Sequence, residues 1–93
     1  MTTSPWRVDA ASALERWERR DHPSPNRLNA LLEWFFACAE REPPGPDEGA
    51  VAVPLEDELA FVHRVPEAEV VVIYYVLVHE RRMLVKEIED VRG

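Results

Sequence analysis

One cysteine, three glycines and a single lysine in 93 residues set the first limits. A lone Cys38 forbids an internal disulfide framework and any zinc site built from several thiolates. Gly45, Gly49 and the terminal Gly93 stand apart, so no glycine-rich loop cradles a phosphate and no dinucleotide fingerprint exists. No apolar run approaches the roughly 20 residues that cross a bilayer. The start, Met1-Thr2-Thr3-Ser4-Pro5-Trp6, has neither the basic opening nor the apolar stretch of a secretory signal. These absences lead us to expect one soluble domain over residues 1–93, located in the cytoplasm, with no membrane partner, no metal and no cofactor.

Positive charge is also scarce. Against 11 Lys plus Arg stand 18 Asp plus Glu, a formal charge of -7, so no global positive field draws the chain to nucleic acid. The deficit is uneven: residues 1–46 carry -1 and residues 47–93 carry -6. Asp47-Glu48 and Glu56-Asp57-Glu58 hold much of it, in a linker placed to screen or cover a nearby basic site. Lys86 is the only lysine among ten arginines, a composition that fits a GC-rich bacterial genome.

What is present is a hydrophobic fraction of 46%, ordered by prolines at Pro5, Pro23 and Pro25, Pro43-Pro44-Gly45-Pro46, and Pro66. Trp6-Arg7-Val8 reads as a short edge strand. Ala10, Ala13, Leu14 and Trp17 recur at helical spacing with charges opposite, which predicts a first helix from Ala10 to Arg20 with Asp9 as N-cap. Leu28, Leu31, Leu32, Phe35, Phe36 and Ala39 predict a second, from a cap at Asn26 to Arg41. With Trp34, Ala37 and Cys38 added, that helix is apolar nearly all round, as expected of a core element or one covered by a partner.

The period then changes. Leu59 to Val65, Val70 to Val78 and Met83 to Ile88 are β-branched and aromatic, and four-residue connections make them hairpins of an antiparallel meander. The expected fold is α+β: a short N-terminal strand, two helices, then a three-stranded antiparallel meander packed on the helices. Pairing Val65 with Val70 and Val78 with Met83 sorts the sheet into two faces. Ala60, Val62, Arg64, Val71, Ile73, Tyr75, Leu77, Leu84, Lys86 and Ile88 are expected against the helices. The opposite face, with Val70, Val72, Tyr74, Val76, Met83 and Val85, is then an apolar surface for a partner, and Trp34 is assigned to partner contact with it.

Chemistry is thinly represented. His63, Tyr74, Glu87 and Glu89 fall on one face and could exchange protons with a docked substrate, although such a set is more often the wet edge of a covered sheet. The three histidines lack zinc-ligand spacing, and Cys38 lies among apolar residues as a core thiol. Basic residues cluster at Arg16-Arg19-Arg20 and at Arg81-Arg82 with Lys86. Each has a bland alternative, a solvated helix face or a charged hairpin tip.

A short strand, two helices and a meander in this order resembles the RelE/ParE superfamily of toxins from bacterial toxin-antitoxin pairs. Trp6-Arg7-Val8-Asp9 running into Ala13-Leu14 is similar to that family's first strand and helix. Phe61-Val62-His63-Arg64-Val65, Val72-Ile73-Tyr74-Tyr75-Val76 and Met83-Leu84-Val85-Lys86-Glu87-Ile88 are similar to its last strands. Members that cut ribosome-bound mRNA use basic side chains on the sheet, often with a Tyr or His near the C-terminus. The resemblance makes Arg64, Arg81 and Lys86 catalytic candidates, with His63 from the face analysis. The chain departs from the pattern at Val71 and Val72, where a basic residue is often found, and at Asp90-Val91-Arg92-Gly93, which supplies no terminal Tyr or His.

The resemblance thus implies a toxin-family protein that binds a protein or ribosomal target, is neutralised by an antitoxin, and has a degenerate catalytic set. Whether it is an enzyme is left open. The alternative is a non-enzymatic acidic module that binds or inhibits another protein. The expected partner is an antitoxin or other protein, with a homodimer as a further option and ribosome-bound mRNA as the one nucleic acid considered.

Overall fold

The computed structural model describes residues 6–45, 48–55 and 58–91. The linker acids Asp47, Glu56 and Asp57, the N-terminal Met1 to Pro5 and the terminal Arg92-Gly93 lie outside the described residues. Within them the order is β1 (Arg7–Asp9), α1 (Ala11–Asp21), α2 (Pro25–Glu40), β2 (Val51–Leu55), β3 (Glu58–Val65), β4 (Val70–Leu77) and β5 (Arg82–Asp90). The strands form one mixed sheet in the order β1-β5-β4-β3-β2. β1 runs parallel to β5, while the other neighbours are antiparallel. The fold is therefore α+β with a short N-terminal strand and two helices. Its sheet is mixed, and the meander has four strands where the sequence pattern suggests three. β2 goes unread in the sequence because Pro54 sits inside it, and proline in a strand is tolerated only at an edge, which is where β2 lies.

α1 buries Ala13 and Trp17 and ends at His22, whose left-handed backbone (φ 46°) lets its amide donate to the Glu18 carbonyl. Ala10 occupies the N-cap position without a side-chain bond; Asp9 is instead part of β1 and pairs with Arg82. The cap of α2 is Ser24, two residues before the expected Asn26, and Pro25 takes the first helical position, where no amide partner is needed. The Ser24 hydroxyl accepts from the Arg27 amide at 3.3 Å. Ser24→Ala should cost about 1 kcal/mol, read as a shift of the urea midpoint with an unchanged slope.

Leu31, Phe35 and Cys38 project from one side of α2 into a core completed by Trp17 and by the sheet residues Val65, Val70, Val72, Tyr74, Met83, Val85 and Ile88. This corrects the expected sheet orientation. The face chosen as partner-binding is the one the helices cover: Val70, Val72, Tyr74 and Met83 are fully buried, Val85 nearly so, and Val76 and Trp34 are packed against them. Val70, Val72, Tyr74, Met83 and Val85 are thus closed to a partner while the chain is folded, and Val76 and Trp34 keep only part of their surface.

The cause of the inversion is local. Val65 does pair with Val70, but β5 meets β4 with Val76 opposite Met83, and Val78 falls in the turn. Farther along, Tyr74 faces Val85 while Ile73 faces Glu87, so Lys86 is an extra residue bulged out of β5. The bulge reverses the alternation beyond it. Ile88 swings inward beside Val72, and Glu87 and Glu89 turn out with Ile73 and Val71. A strict alternation puts both acids on the core side and makes that face look wet. With them removed it is apolar except for His63 and the Tyr74 hydroxyl, whereas the opposite face keeps Arg64 and Lys86, which are costly to bury unpaired.

Candidate functional site

With the helices on one side, the other side of the sheet is open. Register places Val53, Ala60, Tyr75 and Leu84 in one row across four strands and Val51, Val62, Ile73 and Glu87 in the next. Leu77 and Leu55 extend the apolar area toward one end, Val71 toward the other. Tyr75 is laid flat by two contacts: its hydroxyl donates to the Leu55 carbonyl at 3.4 Å, and the Lys86 ammonium stands 5.8 Å from its ring centre. To reach from β4 to β2 the ring must cross β3, where Ala60, fully buried, is small enough to pass beneath it.

Around this apolar centre runs a charged rim. On the β1 side Arg82 pairs with Asp9 and Glu80; at the β5 bulge Glu87 receives Arg20 of α1 at 3.4 Å; on β3, Arg64 stands exposed next to Val71. Hydrogen bonding to Asp9 raises the Arg82 pKa. An apolar centre within a polar rim is the layout of a protein-protein contact surface.

The four catalytic candidates are not brought together. His63 and Arg64 are adjacent in β3 and therefore point to opposite faces. His63 is on the helix side, stacked on Trp34 at 5.2 Å, with Nε2 3.3 Å from the Glu48 carbonyl. Arg64 is on the open side, two strands from Lys86 and offset along them as well, since it lies in line with Val71 and Glu89. Arg81 sits in the β4–β5 turn with left-handed backbone (φ 49°), its guanidinium 5.4 Å over the Trp6 ring. No single bound phosphate could touch all four.

On the helix side a recess of about 430 Å³ lies between the end of α2 and the loop after it, lined in part by Trp34, Ala37, Cys38, Arg41, Pro43 and Pro44. Arg41, Glu42 and Glu48 bring charge to its lining, while Cys38 in its wall and Tyr74, bonded to Pro44 behind it, are held neutral. Burial pushes the Cys38 thiol up to about 12, and Tyr74, whose hydroxyl donates to the Pro44 carbonyl at 2.6 Å, is likewise pushed up by burial. Neither is a nucleophile or a base near neutral pH. Among the described residues no three His, Cys, Asp or Glu side chains converge as metal ligands, and no helix is long and apolar enough to cross a membrane.

No protein-family model matches this chain. No curated protein and no solved structure matches it either. The open face holds Ile73, Leu77, Leu84 and the nearly covered ring of Tyr75, whereas strict alternation assigns all four to the helix side. The available signal was the pair Arg64 and Lys86 on the same side, since two unpaired cations mark a face as solvent-exposed.

Proposed function

We propose that this chain is a RelE/ParE-like toxin-family protein that acts by binding another protein and not by cutting RNA. The observation that carries this reading is the open sheet face, apolar at its centre and charged at its rim, set against catalytic candidates scattered over both faces and a turn. The RelE/ParE part rests on the element order and the strand motifs quoted above.

The occupant of the face is an apolar segment of an antitoxin. Its size argues for a segment over a second folded subunit: the apolar centre spans roughly 15 by 15 Å, well below the ~800 Å² per partner of a standard interface between folded proteins. One amphipathic helix or extended segment covers such a patch.

Expression in bacteria, alone and with the product of an adjacent short gene, tests the proposal. The chain alone should arrest growth, and co-expression should restore it. Leu84→Arg, a half-buried position on the open face, should weaken antitoxin binding by about thirtyfold, the loss typical of a central contact, so that arrest persists despite co-expression. Arg64→Ala and Arg81→Ala should leave the arrest intact. A harmless wild-type chain removes the toxin reading, and relief of arrest by the arginine variants returns RNA cleavage to consideration.

A further inference from the structure

A second apolar surface lies on the far side of the molecule and is independent of the open sheet face. Phe36, on α2, is 67% exposed and is the one aromatic among the strongly exposed large hydrophobic residues. Beside it is a groove of about 340 Å³ between β1, α1 and α2, whose lining includes Val8, Ala11, Leu14, Leu32 and Ala39. Every residue lining it is apolar. Ala11 and Ala39 make the hollow by being short, and Phe36 makes the projection at its border.

We infer that this surface is a homodimer contact in which Phe36 of each copy enters the groove of the other. A two-fold interface must be complementary to itself, because the same patch supplies both sides. A projection next to a hollow of matching character meets that condition directly. The two-fold covers the exposed part of Phe36, which also lines the groove, and fills the groove at once.

Charge favours the same occupant. A chain of -7 repels its own copies, but the groove is built wholly from residues before position 46, the part that carries only -1. The exposed ion pair on α1, Glu15 with Arg19, is internally neutral. The area is also larger: helices of 11 and 16 residues present a layer of about 20 by 24 Å, charged residues included, roughly twice the apolar centre of the sheet face. With the relief of projection and groove, that reaches the several hundred Å² per subunit of a small dimer interface.

Sedimentation equilibrium of the full chain from roughly 1 µM to roughly 500 µM tests this, with circular dichroism confirming the fold of each variant. The wild type should dimerise in this range. Phe36→Ser, which removes the projection, and Ala11→Trp, which fills the groove from an exposed position, should each raise the dissociation constant about thirtyfold or more, as for an aromatic anchor. Mixed together, the two should associate more tightly than either alone, because one intact projection then meets one intact groove. A wild-type monomer throughout, a dimer indifferent to both variants, or a mixture no tighter than its components would each overturn the inference. The sheet-face variant Leu84→Arg should dimerise normally, which keeps this result separate from the toxin test.

Discussion

Arg27→Ala should cost about 3–5 kcal/mol, the range for removing one partner of a buried charge pair, and leave the protein close to unfolding. Arg27 is 6% exposed and is the one buried charged residue among those described. Its guanidinium ties four elements together. Nε donates to the Ala68 carbonyl at 2.9 Å; Nη2 donates to the Asp90 carboxylate at 2.8 Å and to the Glu69 carbonyl at 3.3 Å; and the group lies 5.5 Å over the Trp17 ring. α2, α1, the β3–β4 turn and the end of β5 therefore meet at one side chain. The Glu69 carbonyl keeps a second partner in the Val91 amide, but alanine would strand the Ala68 carbonyl and take the guanidinium from a largely buried Asp90 carboxylate.

A domain of this size has about 5–10 kcal/mol of total stability. The loss should appear as a drop in melting temperature of roughly 15–25 °C and a lower urea midpoint. Arg27→Lys keeps the charge but not the planar fork, so it should recover only part of the loss. Asp90→Asn should cost less than Arg27→Ala, since the arginine would keep both carbonyl bonds. If Arg27→Ala melts within a few degrees of wild type, the node does not hold the elements together as argued.

Arg27 also shows where sequence reading ran out. It is a single basic residue at the start of an apolar helix, outside both basic clusters, and nothing in its neighbours announces that carbonyls 41 and 42 positions later converge on it. The two helices, β1, β3 and the β3–β4 register were legible, because periodicity and a four-residue connection are local signals. The β4–β5 register was not. Val70 to Leu77 is apolar on both faces, so slipping or bulging the partner strand changes no polarity that a reader could see. Only the single extra residue Lys86 decides which face Glu87, Ile88 and Glu89 take, and a bulge leaves no mark in composition. For the candidate site this had a large consequence: the strand residues chosen as a binding surface are core, and those assigned to the core form the open face. β2 was hidden for a different reason, Pro54, even though Val51, Val53 and Leu55 alternate as a strand should.

The second large effect should appear in alkali, and the chain's composition makes it measurable. Cys38 is buried against Phe35, Tyr74 and the rest of the core, and burial raises its pKa from 9.0 to about 12. Tyr74 is raised from 10.0 for the same reason. Both groups are neutral in folded and unfolded chains at pH 7, so neither contributes any pH dependence there. As pH passes their unfolded values, the unfolded chain ionises and the folded one does not. Stability is therefore fully present below about pH 9 and falls as pH rises, by about 1.4 kcal/mol per pH unit for a single group. From Cys38 alone the loss by pH 11 should be roughly 2–3 kcal/mol, with Tyr74 adding to it above pH 10.

In most proteins lysines titrating in the same window would obscure this. Here ten of eleven basic residues are arginine, which stays charged, and Lys86 is the only lysine. Urea unfolding at roughly pH 7, 9 and 10.5 should show the midpoint falling in wild type. In Cys38→Ala the midpoint should start lower, by the lost packing, and then fall less steeply. Tyr74→Phe should remove the remaining decline above pH 10 and lose, at every pH, the hydrogen bond to the Pro44 carbonyl. Parallel curves for wild type and Cys38→Ala would mean that water reaches the thiol, and the core between α2 and the sheet would then be looser than its packing implies.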